Sequence, residues 1–269
     1  MEVTLPFRKL EPFGVEIQRD LSEAFAPSEA YHFQQLFREH GLILARGQSL
    51  SMDRQREICG LLGPILLREG EDGYMTNEGG GPSASALSWH SDAAYTDYPF
   101  DALALHALDV VEDQTSTCFV NAEKAFDTMP PSLQEAMEGR EQEMIAPHYT
   151  KLAERTCDQR DPEAQKRGFM PAIYVNPHNG HKCIWVSELQ TTRLLDMEWD
   201  ESRALLHEVF DRLYAEENVF EHRWRTGDIV IWDNIALQHA RGNLESAGKR
   251  LLQRVIVGKQ GVAPHVSAG

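Results

Sequence analysis

The sequence predicts a mainly β fold with flanking helices, and three observations lead to this class. Short runs rich in β-branched and aromatic residues recur along the chain, which is typical of strands. Apolar residues at helical spacing occur mainly in segments outside those runs. A length of 269 residues suits one β-barrel with appended helices. Since no internal repeat or linker divides the sequence, a single domain over residues 1–269 is expected.

Composition excludes several classes of protein. Hydrophobic residues make up 42% and charged residues 25%, which is ordinary for a globular chain. A net charge of −16 argues against nucleic-acid binding, which normally needs a basic face. No apolar run has the length of a signal peptide core or a membrane span. The four cysteines show no CxxC spacing, so reduced thiols and a cytoplasmic location are expected.

The N-terminal part predicts two helices around a strand. Residues 28–40 have apolar side chains at helical spacing, and Gly41 is placed to end this helix. The run LILAR at 42–46 predicts a strand. Ser51 is a suitable N-cap for a second helix over 52–62, which Gly-Pro then ends.

The middle of the chain predicts further strands and helices in alternation. Two strands are expected at 102–108 and 116–122, and the turn sequence NPHNG separates two more, AIYV and KCIWV. Short helices are expected over 125–138, and an amphipathic helix over 199–216.

Two stretches predict irregular structure. Residues 68–88 are polar and glycine-rich, and residues 146–169 are highly charged with weak periodicity. Long irregular stretches inside a compact domain are typical of lids or binding loops. Both segments are therefore expected to be lid loops.

The last long ordered stretch, residues 224–258, contains two predicted strands, 228–233 and 250–257, with His239 between them. Because side chains alternate along a strand, Arg250 and Arg254 share one face. Two guanidinium groups on an apolar strand are costly to bury unless an anion pairs with them. This pattern predicts an anion site near His239; an edge strand with two solvated arginines is the alternative.

A second motif lies far upstream, in the sequence WHSD. His90 and Asp92, combined with the distant His239, have the composition of the 2-His-1-carboxylate triad that holds Fe(II) and leaves coordination positions open. The triplet His-x-Asp alone is a weak signal, and three residues that never meet are the alternative. The offsets from His239 to Arg250 (250 − 239 = 11) and Arg254 (254 − 239 = 15) make the pattern more specific.

With these motifs in order, the chain from about Leu36 to Gly258 resembles the taurine and dichlorophenoxyacetate dioxygenase (TauD/TfdA) family. The landmarks are HGLILARGQSLSMDRQ, WHSD, TSTCFVNA, the segment beginning NPHNG, WRTGDIVIWDNIALQH and KRLLQR. The resemblance implies a double-stranded β-helix, or jelly-roll, and the cofactors Fe(II), 2-oxoglutarate and O2. It implies His90, Asp92 and His239 as metal ligands, and hydroxylation of a C–H bond with release of succinate and CO2.

The resemblance also assigns roles to three further residues. Arg250 matches the arginine that binds the distal carboxylate of 2-oxoglutarate. Thr117, 27 residues after His90 (117 − 90 = 27), matches a threonine whose hydroxyl contacts the same carboxylate. Arg254 matches an arginine that pairs with the substrate anion or with the other end of the cosubstrate. Trp232 and Asp233 fit the family pattern as structural residues.

Departures from the family pattern bear on the substrate. Taurine dioxygenase has a polar amide where this chain has Ala86, and an early histidine of that enzyme aligns loosely with a residue near Leu66. A less polar pocket is therefore expected, with a larger, partly aromatic or aliphatic acid as substrate. Related halogenases have a small residue in place of Asp92, so its presence points to oxidation without halogenation.

Several alternatives stay open at this point. A cupin-like oxygenase could use the same triad without 2-oxoglutarate, and a non-catalytic β-barrel could bind a small acid. His178, His181 and Cys183 could suggest a second metal site, although a turn is the simpler interpretation. The acidic cluster at residues 69–72 is expected to be a solvated loop. The expected partner is a small molecule, without nucleic acid or membrane, in a possible dimer or tetramer.

Overall fold

Two mainly antiparallel sheets, of seven and four strands, form the centre of the computed structural model. The structure describes residues 4–67, 73–78, 84–147, 151–160, 166–259 and 261. With strands numbered in chain order, the seven-stranded sheet consists, from edge to edge, of β1 (Phe7–Lys9), β2 (Val15–Ile17), β3 (Leu42–Ala45), β14 (Ile229–Asp233), β6 (Ala102–Val110), β16 (Arg250–Val257) and β4 (Gly73–Thr76). The four-stranded sheet consists of β13 (Val219–Arg223), β7 (Ser116–Asn121), β15 (Leu237–Arg241) and β5 (Leu87–His90). This arrangement is the jelly-roll that was expected.

The described structure also contains two smaller sheets, five α-helices and two short 3-10 helices, Thr156–Asp158 and Glu216–Asn218. The three-stranded sheet contains β12 (Thr191–Leu194), β8 (Glu141–Ile145) and β9 (Arg167–Pro171), and a hairpin contains β10 (Ile173–Val175) and β11 (Lys182–Ile184). The helices are α1 (Pro27–His40), α2 (Met52–Gly60), α3 (Ala122–Thr128), α4 (Pro131–Met137) and α5 (Trp199–Leu213). In the described part of the chain, no helix combines the length and the apolar character needed to cross a membrane.

The ends of the first two helices follow from local chemistry. Gly41 takes the left-handed conformation with φ of 69°, and its N–H donates to the carbonyl of Phe37, which ends α1. The hydroxyl of Ser51 accepts a hydrogen bond from the N–H of Arg54 at 3.1 Å, which caps α2 as expected.

Apolar packing divides into three clusters. The inner cluster lies between the two large sheets and includes Phe119, Trp224, Trp232 and Leu252. A second cluster joins α1 and α2 to the outer face of the seven-stranded sheet. A third joins α3, α4 and α5 to the smaller sheets. The inner cluster surrounds the polar residues described below and holds their strands in register.

The two expected lid loops are only partly irregular. Within 68–88, the strands β4 and β5 form at either end, and residues 68–72 and 79–83 lie outside the described residues. Within 146–169, β9 begins at Arg167, Leu152 and Cys157 are buried, and residues 148–150 and 161–165 are not described. The expectation of irregular structure is therefore wrong at 73–76 and at 167–169, which form strands. Short strands gain their stability from neighbours that the local sequence does not show.

Candidate metal centre

Strand register brings the two histidines of the predicted triad face to face. His239 on β15 is the direct cross-strand partner of His90 on β5. Directly opposed side chains in an antiparallel pair lie close together, and the two imidazole centroids are 4.2 Å apart. His239 also pairs with Phe119 of β7 on its other side, so both flanks of this strand are fixed.

The third residue of the triad, Asp92, follows the end of β5 and is held by its backbone. Its N–H donates to Oδ1 of Asn234 at 2.8 Å, and Nδ2 of Asn234 donates to the Asp92 carbonyl at 2.9 Å. The same Nδ2 donates to the carbonyl of Phe100 at 3.0 Å. Asn234 is fully buried, so it fixes the turn that carries Asp92 beside the histidines.

The ligand atoms of His90, Asp92 and His239 all lie within 4.8 Å of one another. Asp92 Oδ1 is 3.2 Å from Nε2 of His90 and 3.9 Å from Nε2 of His239. All three predicted ligands therefore converge, with the aspartate close to both imidazoles.

Hydrogen bonding shows that this cluster suits a cation. Nδ1 of His90 lies 2.8 Å from the carbonyl of Ser88, which only accepts, so Nδ1 carries the proton. In the neutral ring, Nε2 is then an acceptor that faces the carboxylate of Asp92, itself an acceptor. A cation bound between Nε2 of His90 and the Asp92 carboxylate removes the repulsion between these two acceptors. Two imidazoles with one carboxylate are also the donor set that Fe(II) takes in open sites. The residues present fit Fe(II).

Burial and charge set the protonation states of the three predicted ligands. Burial and the nearby His90 lower the pKa of His239 to about 3, so the ring is neutral at neutral pH. For Asp92, burial acts to raise the pKa, but the neighbouring imidazoles of His90 and His239 and the charge of Arg254 outweigh it. The net result is a pKa of Asp92 below its ordinary range, so the carboxyl is ionised.

Arg250, the first residue of β16, is a buried cation. Its side chain is 2% exposed, and its Nε has no hydrogen-bond partner among the described residues. Its guanidinium lies 5.8 Å from the ring centre of Trp224. Burial, and then the charge of Arg241, lower the pKa of Arg250 to about 9. A buried guanidinium in this state is ready to bind an anion.

Thr117 on β7 meets the same tryptophan. Nε1 of Trp224 donates to the Thr117 hydroxyl oxygen at 3.0 Å, and both residues are buried. Because that oxygen accepts from the indole, its own proton can point to an acceptor elsewhere. Trp224 therefore brings Thr117 and Arg250 to one place, as the family pattern implies for two residues that share a carboxylate.

Arg254 lies near Asp92, one of the predicted metal ligands. Leu252 and Ile256, which alternate with it on β16, belong to the inner cluster, as the strand pattern predicted. The charge of Arg254 helps to lower the pKa of Asp92. The structure thus places Arg254 on the inner face, with Asp92 as an electrostatic neighbour.

Trp232 and Asp233 have the surroundings of structural residues. The indole of Trp232 packs edge-on against His239, with ring centres 5.1 Å apart. The Asp233 carboxylate accepts from the N–H groups of Ile235 and Ala236 at 2.8 and 3.0 Å, which forms the turn into β15.

Three residues of the site were not predicted from the sequence: Asn234, Trp224 and Arg241. Asn234 stands next to Asp233 in the quoted landmark WDN, and Trp224 opens the last ordered stretch, so both carried a sequence signal. Arg241 follows His239 by two positions on β15, which places both on one face of the strand. Nη2 of Arg241 donates to the carbonyl of Ser85 at 3.2 Å.

The suggested second metal site does not form. His178 contacts Asp101 at 3.2 Å, while Cys183 is fully buried and His181 is an exposed neighbour of Glu123. Among the described residues, the one other group with metal-ligand spacing is Cys157, Asp158 and His207. The acidic cluster at 69–72 lies outside the described residues.

Comparison with known proteins extends these observations. The model of the family described as "Taurine catabolism dioxygenase TauD, TfdA family" matches residues 6–256. The alpha-ketoglutarate-dependent 2,4-dichlorophenoxyacetate dioxygenase of Cupriavidus pinatubonensis is 26% identical, over 94% of this chain and 96% of that protein. The alkylsulfatase of Acinetobacter baylyi is 25% identical, over 93% and 84%.

Solved structures show the same fold. A putative alpha-ketoglutarate-dependent taurine dioxygenase from Burkholderia xenovorans superposes with a TM-score of 0.80 and 18% identity, covering 97% of this chain and 92% of that one. A structure of AAD-2 in complex with Mn(II) and N-oxalylglycine has a TM-score of 0.78 and 20% identity, covering 97% and 100%.

Proposed function

The chain belongs to the TauD/TfdA family of dioxygenases, and from this premise we propose which residues carry its reaction and what it acts on. The enzyme is an Fe(II)- and 2-oxoglutarate-dependent dioxygenase that uses O2. We propose that it hydroxylates an unactivated C–H bond of a small, carboxylate-bearing and partly apolar substrate, with release of succinate and CO2. We propose His90, Asp92 and His239 as the iron ligands.

One observation carries this assignment: the ligand atoms of the three residues converge within 4.8 Å. When bound, Fe(II) supplies the O2 chemistry that couples oxidation of 2-oxoglutarate to oxidation of the substrate. The chain supplies orientation. The Ser88 carbonyl sets the tautomer of His90, and Asn234 sets the backbone of Asp92.

The proposed cosubstrate residues are Arg250 and Thr117. Arg250 presents a two-pronged donor to the distal carboxylate of 2-oxoglutarate, and the Thr117 hydroxyl donates to the same group. Both contact Trp224, which fixes their separation. Since Arg250 is only 2% exposed, an anion at this position is shielded from water.

The proposed substrate class is supported by the lining residues and by the relatives. Ala86 offers no polar side chain, and Leu66 packs against the inner apolar cluster. Phe119 and Trp232 flank His239 and exclude water from that side. Two relatives are named for their action on 2,4-dichlorophenoxyacetate and on sulfate esters. A partly apolar carboxylic acid fits these surroundings.

An anaerobic binding experiment tests the assignment. Fe(II) and then 2-oxoglutarate are added to the metal-free protein, and the weak visible charge-transfer absorption of a chelated 2-oxo acid is recorded. We expect the band in the wild-type protein and its loss in Arg250→Gln at the same cosubstrate concentration. Arg203→Gln, which removes an exposed arginine on α5, is the control and should keep the band.

Each other outcome contradicts a specific part of the proposal. If the wild-type protein binds iron but forms no band, Arg250 and Thr117 do not hold the cosubstrate as proposed. If iron does not bind, the proposed ligands are wrong. If Arg250→Gln binds 2-oxoglutarate as tightly as the wild-type protein, another residue holds the distal carboxylate.

We further propose one domain over residues 1–269 and a cytoplasmic location. The jelly-roll uses strands from both ends of the described chain, because β2 pairs with β3 and β16 pairs with β6 in one sheet. Cys59, Cys118, Cys157 and Cys183 are all free thiols, as a reducing compartment would leave them.

A further inference from the structure

Strand β5, which ends at His90, is the last strand of the four-stranded sheet, and a loop lies along its outer side. Three consecutive loop residues, 188–190, hydrogen-bond to the chain around His90 in the same order. The contacts join Ser88 with Glu188 at 2.6 Å, Trp89 with Leu189 at 3.1 Å, and Ser91 with Gln190 at 3.0 Å. Because an edge strand has unpaired backbone groups, this loop satisfies part of β5 and fixes the position of His90.

Ser88 is held at each of its three polar groups. Its N–H donates to the carbonyl of Leu152 at 2.8 Å, and its hydroxyl donates to the Glu188 carboxylate at 2.6 Å. Its carbonyl lies 2.8 Å from Nδ1 of His90 and accepts the proton of that nitrogen. Residues outside β5 therefore fix the carbonyl that orients the predicted ligand.

Glu188 connects Ser88 to a second part of the chain. Its side chain is buried, and its second carboxylate oxygen accepts from Nε of Arg155 at 2.6 Å. Its backbone carbonyl accepts from the N–H of Thr156 at 2.8 Å. Both partners belong to residues 151–160, in the stretch that the sequence predicts to be a lid loop. Hydrogen bonds to an ionised carboxylate are among the stronger ones in proteins, so Glu188 ties this segment firmly to Ser88.

The Ser88 carbonyl decides which nitrogen of His90 carries the proton. Nε2 of His90 lies 3.2 Å from Oδ1 of Asp92, and this oxygen competes with the Ser88 carbonyl for the single N–H of the neutral ring. If the carbonyl moves away, the proton is better placed on Nε2, where it points to Asp92. A metal cannot bind Nε2 until that proton leaves.

We infer that Glu188 is a positioning residue for the metal ligand His90. By holding Ser88, it keeps the proton on Nδ1 and leaves Nε2 open to the metal. Through Arg155, it also makes the metal centre depend on the placement of residues 151–160. This inference rests on the proposed function, because it takes His90 to be an iron ligand. Glu188 acts only through Ser88 and does not itself bind the metal.

Glu143 provides a matched control, because it is a second buried carboxylate that accepts from a hydroxyl and an arginine. It is 8% exposed, and Glu188 is 9% exposed. Glu143 accepts from the Thr192 hydroxyl at 3.1 Å and from Nε of Arg193 at 3.0 Å, and both partners lie on β12. Glu143→Ala and Glu188→Ala should therefore lower stability to a similar degree, and only Glu188→Ala should affect His90.

Two measurements test the inference. Anaerobic titration measures Fe(II) affinity, and long-range proton–nitrogen NMR correlation of the metal-free protein at neutral pH shows which nitrogen of His90 is protonated. The spectrum of His90→Gln identifies the signals. We expect a protonated Nδ1 in the wild-type protein and in Glu143→Ala. In Glu188→Ala the proton should move to Nε2, and Fe(II) affinity should fall by about 10- to 100-fold.

Further variants show that the effect passes through Ser88. Ser88→Ala removes the same hydrogen bond from the other side, so it should also weaken iron binding, and adding it to Glu188→Ala should cause no further loss. Glu188→Gln keeps an acceptor for the Ser88 hydroxyl and should restore most of the affinity. Arg155→Gln should cause a smaller loss, and Arg160→Gln, in the same segment but packed on Trp199, should cause none.

Three results would overturn the inference. The first is a His90 proton that stays on Nδ1 in Glu188→Ala, and the second is an equal loss of iron affinity in Glu188→Ala and Glu143→Ala. The third is a full sum of the two losses in the double variant with Ser88→Ala. Melting curves identify a variant that fails to fold, and Ser88→Ala then carries both measurements.

Failure of the proposed function has a different signature. The wild-type protein would then not bind iron, whereas the protonated nitrogen of His90 could still be compared between the metal-free variants.

Discussion

Two groups of three side chains in the described part of the chain have metal-ligand spacing, and only one of them has the surroundings of a metal site. In both groups the ligand atoms lie within 4.8 Å of one another. The groups are His90, Asp92 and His239, between the two large sheets, and Cys157, Asp158 and His207, beside α5. Their difference lies in what surrounds each ligand.

In the first group, hydrogen bonds from other parts of the protein orient the ligands and leave their metal-binding atoms facing one another. The Ser88 carbonyl fixes the His90 ring, and Asn234 fixes the backbone of Asp92. Such outer partners set tautomer and orientation, and they are a regular part of metal sites. This arrangement of side chains suits a ligand from outside the protein, such as a metal ion.

In the second group, the side chains satisfy one another at the surface. Nε2 of His207 lies 2.7 Å from the Asp158 carboxylate, and these side chains are 38% and 40% exposed. Burial and then the charge of Asp158 raise the pKa of Cys157 to about 12, so the thiol is protonated at neutral pH. A metal binds the thiolate, so binding here would first have to displace this proton, which weakens the site. Spacing alone therefore does not define a metal site.

The most direct test of the difference between the two groups replaces the aspartate of each group with alanine. Asp92→Ala should reduce Fe(II) affinity by more than the roughly 10- to 100-fold typical of losing an outer partner, because it removes a ligand itself. Substrate-dependent succinate release should fall to background. Asp158→Ala is the matched control and should change neither. Anaerobic iron titration and a succinate assay measure both quantities, and full activity in Asp92→Ala would contradict the ligand assignment.

The role of outer support is tested at Asn234. Asn234→Ala should weaken iron binding by about 10- to 100-fold, because Asp92 loses the partner of its N–H and carbonyl. It should also lower the free energy of unfolding by about 1–3 kcal/mol, since buried groups lose their partners. Asn179→Ala, which removes an amide that donates to Glu123 and does not contact Asp92, serves as the control. Unchanged iron affinity in Asn234→Ala would show that Asp92 holds its position without this support.

A smaller effect is expected at Trp224, which supports the cosubstrate residues rather than the ligands. Trp224→Phe keeps an aromatic ring but removes the donor to Thr117, worth about 0.5–1.5 kcal/mol. We therefore expect 2-oxoglutarate affinity to fall by about 2- to 12-fold, with iron affinity unchanged. Trp199→Phe on α5 is the control. If combining Trp224→Phe with Thr117→Val gives the full sum of the two single effects, Trp224 does not act through Thr117.

The sequence predicts the family, the fold and the cofactors, and the comparisons confirm them. Strand periodicity placed Arg250 and Arg254 on one face, and the packing of Leu252 and Ile256 in the inner cluster agrees. It could not predict that Asn234 supports Asp92, because that role depends on how the end of β14 meets the turn after β5. Arg241 was missed for a related reason: a lone arginine after a strand is usually solvated, and only the fold places it beside Arg250.

Strand prediction failed where the strands are short. β8 reads EQEMI and β12 reads TTRL, and neither alternates cleanly between apolar and polar residues. Their stability comes from pairing with each other and with β9, and such cross-strand contacts are not visible in a local window.

The smallest effect is expected from His207→Gln, which tests whether the second group binds a metal. Its ion pair with Asp158 is partly exposed to solvent, so its loss should cost less than ~1 kcal/mol of unfolding free energy. Iron stoichiometry should stay at one per chain at pH 7.5, because the Cys157 thiol remains protonated well above that pH. Two irons per wild-type chain, falling to one in His207→Gln, would show that the second group is a metal site despite its protonated thiol. Chemical denaturation and metal analysis of the gel-filtered protein measure both outcomes.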